Sequence, residues 1–104
     1  MVSVLADRQP EVSRLCVRFG VQRLELFGSA ASEGDFDPST SDLDFIVAFR
    51  EDQDLGPWLQ NYFAFRDGLS ELLGYPVDLV MSSAMKNPYF VREANRTRRL
   101  LYGA

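Results

Sequence analysis

Residues 26–49, LFGSAASEGDFDPSTSDLDFIVAF, decide the fold of this 104-residue chain. Two apolar runs flank a segment of small, polar and acidic residues. Gly28 and Ser29 open the segment, and Asp42 and Asp44 close it where the second apolar run starts. A charge at the start of an apolar strand costs free energy unless it is solvated or paired. The stretch therefore predicts either a solvated loop between two strands or a binding site at the strand ends.

The periodicity of apolar residues predicts an α/β sheet domain. Helical spacing predicts helices within residues 9–20, 55–75 and 87–103, and apolar runs predict strands within residues 21–28, 42–49 and 75–82. Strands interleaved with helices are typical of the α/β class. No repeat, low-complexity segment or long linker divides the chain, so residues 1–104 are expected to form a single domain.

The spacing also predicts which residues of each helix face the core. The predicted core faces are, helix by helix, Val12, Leu15, Cys16 and Phe19; Leu55, Trp58, Leu59, Tyr62, Phe65, Arg66, Leu69, Leu72 and Leu73; and Phe90, Ala94, Thr97 and Leu101. The segment PWLQNYFAF, residues 57–65, contains too many aromatic residues for one helix face. They either cover both sides of a core helix or form part of a surface for a partner.

The composition excludes several kinds of chemistry. The formal net charge is −4 and the pI is about 4.7, so strong nucleic-acid binding is not expected. The chain has no histidine, which excludes His-based catalytic triads and His-containing zinc sites. Its one cysteine, Cys16, forms no internal disulfide and is expected in the core. No secretory signal or membrane-spanning run is visible, so a cytoplasmic location is expected.

Three acidic residues predict a metal site. Asp42 and Asp44 are two positions apart, so within a strand both side chains point to one face. Asp78 lies between apolar residues in another predicted strand, where an unpaired charge is costly. Carboxylate oxygens suit Mg²⁺ or Mn²⁺, which also bind substrate phosphates. Three acids on neighbouring strands could hold two metals about 3.5–4 Å apart, the arrangement used for phosphoryl and nucleotidyl transfer.

The Gly28-Ser29 turn predicts a phosphate site beside these acids. Glycine permits a sharp exit from the strand and a close backbone approach, and the Ser29 amide and hydroxyl can donate to a phosphate. Each feature alone also has a structural explanation. The Gly-Ser pair occurs by chance in many chains, Asp42 and Asp44 could belong to a solvated turn, and Asp78 could pair with an arginine. Their order in one chain is the more specific signal.

That order, LFGS followed by SDLDF and then by PVDLV, resembles the DNA-polymerase-β-like nucleotidyltransferase superfamily, and within it the minimal nucleotidyltransferase family. The resemblance runs from about Val21 to Gly103. It implies a small mixed β-sheet flanked by helices. It also implies transfer of AMP from ATP with Mg²⁺ or Mn²⁺. An unrelated α/β domain with a chance motif is the remaining alternative.

The family pattern implies a role for each of five positions. Gly28 and Ser29 match the phosphate-binding pair. Asp42 and Asp44 match the metal-binding carboxylates, and Asp78 matches the third acid, a metal ligand that helps to activate the attacking hydroxyl. Two departures concern the phosphate site. Residues 30–34, AASEG, contain no arginine where many relatives have one, and the segment before Asp42 is two residues longer. An arginine there would bind the triphosphate in bidentate fashion.

The resemblance also implies a protein partner. Minimal nucleotidyltransferases of this kind resemble antitoxins that can adenylylate a tyrosine hydroxyl near the catalytic motif of a HEPN-type ribonuclease toxin and thereby silence it. The chain is too short for a separate acceptor domain, so a hetero-oligomer with such a toxin is expected. The alternative is a catalytically weak chain that neutralises the toxin by binding alone. The three acids favour the enzyme, and the missing arginine favours binding alone.

Overall fold

A computed structural model describes residues 3–28, 31 and 42–103 of the chain. Its main elements in chain order are α1 (Ser3–Asp7), α2 (Gln9–Arg18), β1 (Val21–Phe27), β2 (Leu43–Phe49), α3 (Gln60–Leu73), β3 (Val77–Met81), α4 (Pro88–Thr97) and β4 (Arg99–Gly103). Short 3₁₀ turns at Pro57–Leu59 and Ser82–Ala84 precede α3 and α4. None of the helices in this part of the chain is long and apolar enough to cross a membrane.

The strands form one mixed sheet in the order β3-β2-β1-β4. β1 is antiparallel to both β2 and β4, whereas β2 and β3 are parallel. The end of β1 therefore lies beside the starts of β2 and β3. The predicted fold class, an α/β domain with a small mixed sheet flanked by helices, is confirmed.

The C-terminal element differs from the prediction. A helix was expected to continue through residue 103, but α4 ends at Thr97 and the chain then becomes extended at Arg98 (φ −56°, ψ 133°). Residues Arg99–Gly103 pair with β1, which would otherwise leave its backbone groups unpaired on that side. Leu101 is buried as predicted, but as part of a strand. A helical spacing of apolar residues could not reveal this pairing, because the partner strand lies far away in the sequence.

Two apolar clusters cover opposite faces of the sheet, since neighbouring side chains along a strand alternate between faces. Leu24 and Leu26 belong to the larger cluster, to which α2 contributes Val12 and Cys16. Burial raises the pKa of the Cys16 thiol to about 12, as expected of a core cysteine. The larger cluster also contains Phe65, Leu69 and Leu73 of α3. The smaller cluster consists of Phe27, Ile46 and Ala94, with Val80, Met85 and Phe90 packed against it.

The N-terminal part of the predicted second helix is not α-helical. Trp58 and Leu59 have positive φ angles of 57° and 56°, so the regular helix starts only at Gln60. Their side chains consequently leave the predicted core face, and Trp58 is 93% exposed. The aromatic residues that follow are divided between core and surface. Phe65 is buried, Tyr62 is half-buried and donates its hydroxyl to the Leu79 carbonyl, and Phe63 is exposed.

A buried ion pair joins the start of β4 to β1. Glu25 is only 6% exposed and accepts two hydrogen bonds from Arg98, at 3.0 Å from Nε and 2.6 Å from Nη2. Arg23 Nε donates a third bond to Glu25 at 3.1 Å. The hydrogen bonds from Arg98 hold the pKa of Glu25 below its usual value, although burial acts in the opposite direction. This pair fixes the position at which α4 ends and β4 begins.

Replacing Glu25 with Gln is expected to destabilise the fold by about 2–4 kcal/mol at pH 7, because Arg98 loses its charged partner. The matched control is Glu93→Gln, which changes an exposed pair with Arg96 and should cost less than about 0.5 kcal/mol. The folded pKa of Glu25 is lowered, so its contribution is present above its unfolded pKa and is lost as the pH falls through the folded value. Urea unfolding at pH 7 and pH 3 measures both effects. Equal losses for the two variants at pH 7 would contradict this role.

Candidate functional site

The candidate site lies where β1 ends and where β2 and β3 begin. Asp44 is the second residue of β2, and the register pairs it with Phe27 of β1 and Asp78 of β3. Paired residues on adjacent strands point to the same face, and the strands are about 4.8 Å apart. The Asp44 and Asp78 carboxylates are therefore neighbours on the sheet face that α4 partly covers. This juxtaposition of residues 34 positions apart agrees with the prediction that the acids lie on neighbouring strands.

Gly28 brings the backbone into contact with Asp44. Its φ angle is +77°, and a Cβ atom built there would lie 2.5 Å from Oδ2 of Asp44. No other residue type fits this position without moving the carboxylate or the chain. The Gly28 carbonyl accepts a hydrogen bond from the Ala31 amide at 3.1 Å, so the chain turns directly after β1. Ser29, the second residue of the predicted phosphate pair, lies outside the described residues.

Burial and neighbouring charges make Asp44 unusual. Its pKa is raised from the ordinary value of 3.8 to about 6, mainly because the carboxyl is half-buried and further because Asp78 and Asp42 repel its negative charge. Each of these effects penalises the ionised form. A cation placed between the acids would reverse the penalty. The electrostatics thus make this point of the molecule a favourable place for positive charge.

The three predicted acids differ in how far the structure brings them together. Asp44 and Asp78 are paired in register, but β2 begins at Leu43, so Asp42 precedes the strand and is exposed. An unpaired charge at Asp78 was expected to be costly, but the residue is exposed on β3, the edge strand of the described sheet, so the expected cost of burial does not arise. Within the ranges 3–28 and 42–103 and at residue 31, no cluster of three or more His, Cys, Asp or Glu residues is close enough to hold a metal ion.

The donor chemistry nevertheless fits a hard divalent cation. Mg²⁺ usually takes only one or two protein carboxylates and completes its shell with waters and substrate phosphates. Asp44 and Asp78 supply such a pair, and Asp42 is near enough to act on the charge of Asp44. A complete cage of protein ligands is not needed for a cation that arrives with a nucleotide. The arrangement suits binding of a metal together with phosphates.

One residue beside the turn was not predicted as part of a site. The amide of Gly28 donates to Oγ1 of Thr97, the last residue of α4, at 2.9 Å. Sequence periodicity placed Thr97 only on the core face of a helix. No local signal could have revealed the contact, because it joins residues 69 positions apart.

The family model of the nucleotidyltransferase domain matches residues 12–101 of this chain. The chain belongs to this family. A protein of Methanocaldococcus jannaschii, named as a candidate protein adenylyltransferase, is 39% identical over 72 residues, covering 69% of this chain and 67% of that protein. The family resemblance that the Gly-Ser and Asp-x-Asp motifs predicted is thereby confirmed.

Solved structures with the same fold include minimal nucleotidyltransferases. One, described as a candidate member of that class, has a TM-score of 0.72 and 31% identity and covers 93% of this nucleotidyltransferase and 92% of its own chain. A chain from a Shewanella oneidensis complex of a tri-AMPylated HEPN toxin with its MNT antitoxin has a TM-score of 0.64 and 18% identity. The match covers 96% of this nucleotidyltransferase and 73% of that chain. A chain of a toxin–antitoxin structure with AMP-PNP has a TM-score of 0.67 and 19% identity, covering 92% and 73%. The last two likenesses establish the shared fold.

Gly28→Ala is expected to destabilise the nucleotidyltransferase more than Gly74→Ala. Both glycines have φ near +76°, so each substitution costs about 1–2 kcal/mol of backbone strain. A Cβ at Gly74 meets nothing within 4 Å, whereas one at Gly28 meets Asp44 and should add about 1–3 kcal/mol. Urea unfolding of the two variants measures the difference. Equal destabilisation would show that the approach to Asp44 is not a constraint.

Asp44→Asn is expected to stabilise the metal-free protein at pH 8. Because the folded pKa lies above the unfolded value, the contribution of Asp44 is fully present below pH 3.8 and is lost as the pH rises through about 6. The free energy of unfolding of Asp44→Asn at pH 8 should exceed that of the wild type by roughly 1–3 kcal/mol, and this difference should vanish near pH 3.5. Urea unfolding in EDTA tests this, with Asp52→Asn as an exposed control. A gain of the same size at both pH values would contradict the electrostatic cause.

Proposed function

We propose that this nucleotidyltransferase is an antitoxin that transfers AMP from ATP to a tyrosine hydroxyl of a helical HEPN-type ribonuclease toxin and thereby neutralises it. The observation that carries the proposal is the pairing of Asp44 with Asp78 directly beside the Gly28 turn. Family membership supports nucleotidyl transfer, and the name of the M. jannaschii relative supports a protein acceptor. The shared fold with chains of HEPN–MNT complexes supports this class of partner.

In this proposal Asp44 and Asp78 hold Mg²⁺ or Mn²⁺, with Asp42 as a further ligand, and Gly28 and Ser29 bind the phosphates of ATP. The metal, when bound, would neutralise charge on the phosphates and on the leaving pyrophosphate. Asp44 is half-buried on β2, and its Oδ2 lies close to the Gly28 backbone. Charge repulsion from its neighbours then favours the metal-bound form over the free carboxylate.

We infer that Asp78 assists the attacking hydroxyl. It lies on β3, the edge strand of the described sheet, and is exposed, so a large acceptor can reach it from outside. The acceptor oxygen attacks the α-phosphorus of ATP, the bond to the pyrophosphate oxygen breaks, and the Asp78 carboxylate takes the hydroxyl proton. AMP is then joined to the acceptor through a phosphodiester, and pyrophosphate leaves. We expect this reaction in the cytoplasm, where ATP is available.

The absence of a basic residue in segment 30–34 sets an expectation for nucleotide affinity. Without a bidentate arginine at this position, the triphosphate depends more on the metal and on backbone amides. ATP binding should accordingly be weak and strongly metal-dependent. AMP transfer should therefore require ATP close to cellular concentrations.

An exposed apolar surface favours a second candidate function, neutralisation by binding alone. Trp58 is 93% exposed, Leu59 43% and Phe63 41%, and these side chains lie at the start of α3. Exposed aromatic and apolar residues of this kind are common at protein interfaces. This surface could hold a toxin without any transfer of AMP. AMP transfer requires the carboxylates of Asp42, Asp44 and Asp78, whereas neutralisation by binding alone does not.

Intact-mass spectrometry of the partner distinguishes the two functions. The HEPN-type protein is incubated with this nucleotidyltransferase, ATP and Mg²⁺, in parallel with the Asp42→Ala/Asp44→Ala variant. We expect the partner to gain the mass of one or more AMP groups with the wild type only, and ribonuclease activity to fall in parallel. No gain in mass, together with a stable complex that still inhibits the ribonuclease, would overturn AMP transfer and establish binding alone.

A further inference from the structure

We propose that Thr97 is a positioning residue for nucleotide binding, because its hydroxyl fixes the direction in which the Gly28 turn leaves β1. The inference rests on the proposed function, in which this turn binds the phosphates of ATP. The contact itself is the 2.9 Å hydrogen bond from the Gly28 amide to Oγ1 of Thr97. Thr97 would act through Gly28 rather than on the reacting atoms.

The register of the sheet explains why a side chain makes this contact. β1 and β4 are antiparallel and pair Glu25 with Leu100 and Leu26 with Arg99. Continuing the same register by two residues would place Gly28 opposite Thr97. Thr97, however, is the last residue of α4, so its backbone does not continue the β4 ladder. Its hydroxyl accepts the hydrogen bond from Gly28 that a strand carbonyl would otherwise accept.

Contacts on both sides hold Thr97 in place. Arg98, the next residue, makes its two hydrogen bonds to the buried Glu25. Ala94, one turn earlier in α4, is 2% exposed and packs in the same cluster as Phe27. The hydroxyl is therefore fixed relative to β1 before any ligand arrives. Preorganised groups of this kind lower the cost of ordering a binding site.

The direction of the Gly28 amide determines the geometry of the turn. Since the amide points to Thr97, the plane of the peptide between Phe27 and Gly28 is fixed, and so is the path of the chain past Oδ2 of Asp44. A hydroxyl makes this bond without adding a charge. A carboxylate at position 97 would accept the same hydrogen bond but would add negative charge close to the acids and to the bound phosphates.

Thr97→Val and Thr97→Ser test the inference. Valine keeps the shape of threonine and removes the acceptor, whereas serine keeps the hydroxyl and serves as the matched control. Isothermal titration with Mg·ATP should show binding about five- to tenfold weaker for Thr97→Val and within about twofold of wild type for Thr97→Ser. Amide hydrogen exchange at Gly28 should be slow in wild type and Thr97→Ser and fast in Thr97→Val. Thermal unfolding confirms that each variant is folded, and Thr97→Ala replaces valine if Thr97→Val is not.

The outcomes separate this inference from the proposed function. If wild type binds Mg·ATP and Thr97→Val binds it equally well, Thr97 has no positioning role and the proposed function stands. If wild type does not bind Mg·ATP, the proposed function fails, and nucleotide positioning by Thr97 fails with it. Slow exchange at Gly28 in folded Thr97→Val would overturn the inference in either case. Weaker binding by Thr97→Ser as well would show that shape, and not the hydroxyl, is what matters.

Discussion

The approach of the Gly28 backbone to the Asp44 carboxylate is the constraint on which the rest of the site depends. A single methyl group at Gly28 would lie 2.5 Å from Oδ2, so the site requires glycine at this position. The antiparallel pairing of Phe27 with Asp44 brings the two residues together, and the positive φ of Gly28 turns the chain away after the contact. The backbone and the carboxylate that the proposed function assigns to phosphate and metal binding thus belong to one local structure.

Elements from three parts of the chain support this contact. The parallel pairing of β2 with β3 places Asp78 beside Asp44, where its charge adds to the effect of burial in raising the pKa of Asp44. On the other side of β1, Thr97 accepts from the Gly28 amide, and the pair of Arg98 with Glu25 anchors that end of α4. In the proposed function, a bound divalent cation would offset this repulsion.

Local patterns in the sequence predicted the α/β class, the positions of three strands and the acids of the site, because periodicity and motif order depend on nearby residues. They failed where contacts between residues far apart in the sequence determine the local structure. β4 forms because β1 offers it a partner, and the predicted helix therefore stops at Thr97. Trp58 leaves the core because two positive φ angles precede α3. The buried pair of Glu25 with Arg98 joins residues 73 positions apart and has no local signal.

The most direct test of the site is a crystal structure with Mg²⁺ and an ATP analogue that cannot be cleaved between its α- and β-phosphates. We predict a Mg²⁺ ion bound to carboxylate oxygens of Asp44 and Asp78 at about 2.0–2.1 Å, with the phosphates against the Gly28-Ser29 turn. Asp42 should move towards the metal from its exposed position in the metal-free chain. A nucleotide bound elsewhere, or a metal that contacts neither Asp44 nor Asp78, would contradict this account of the site.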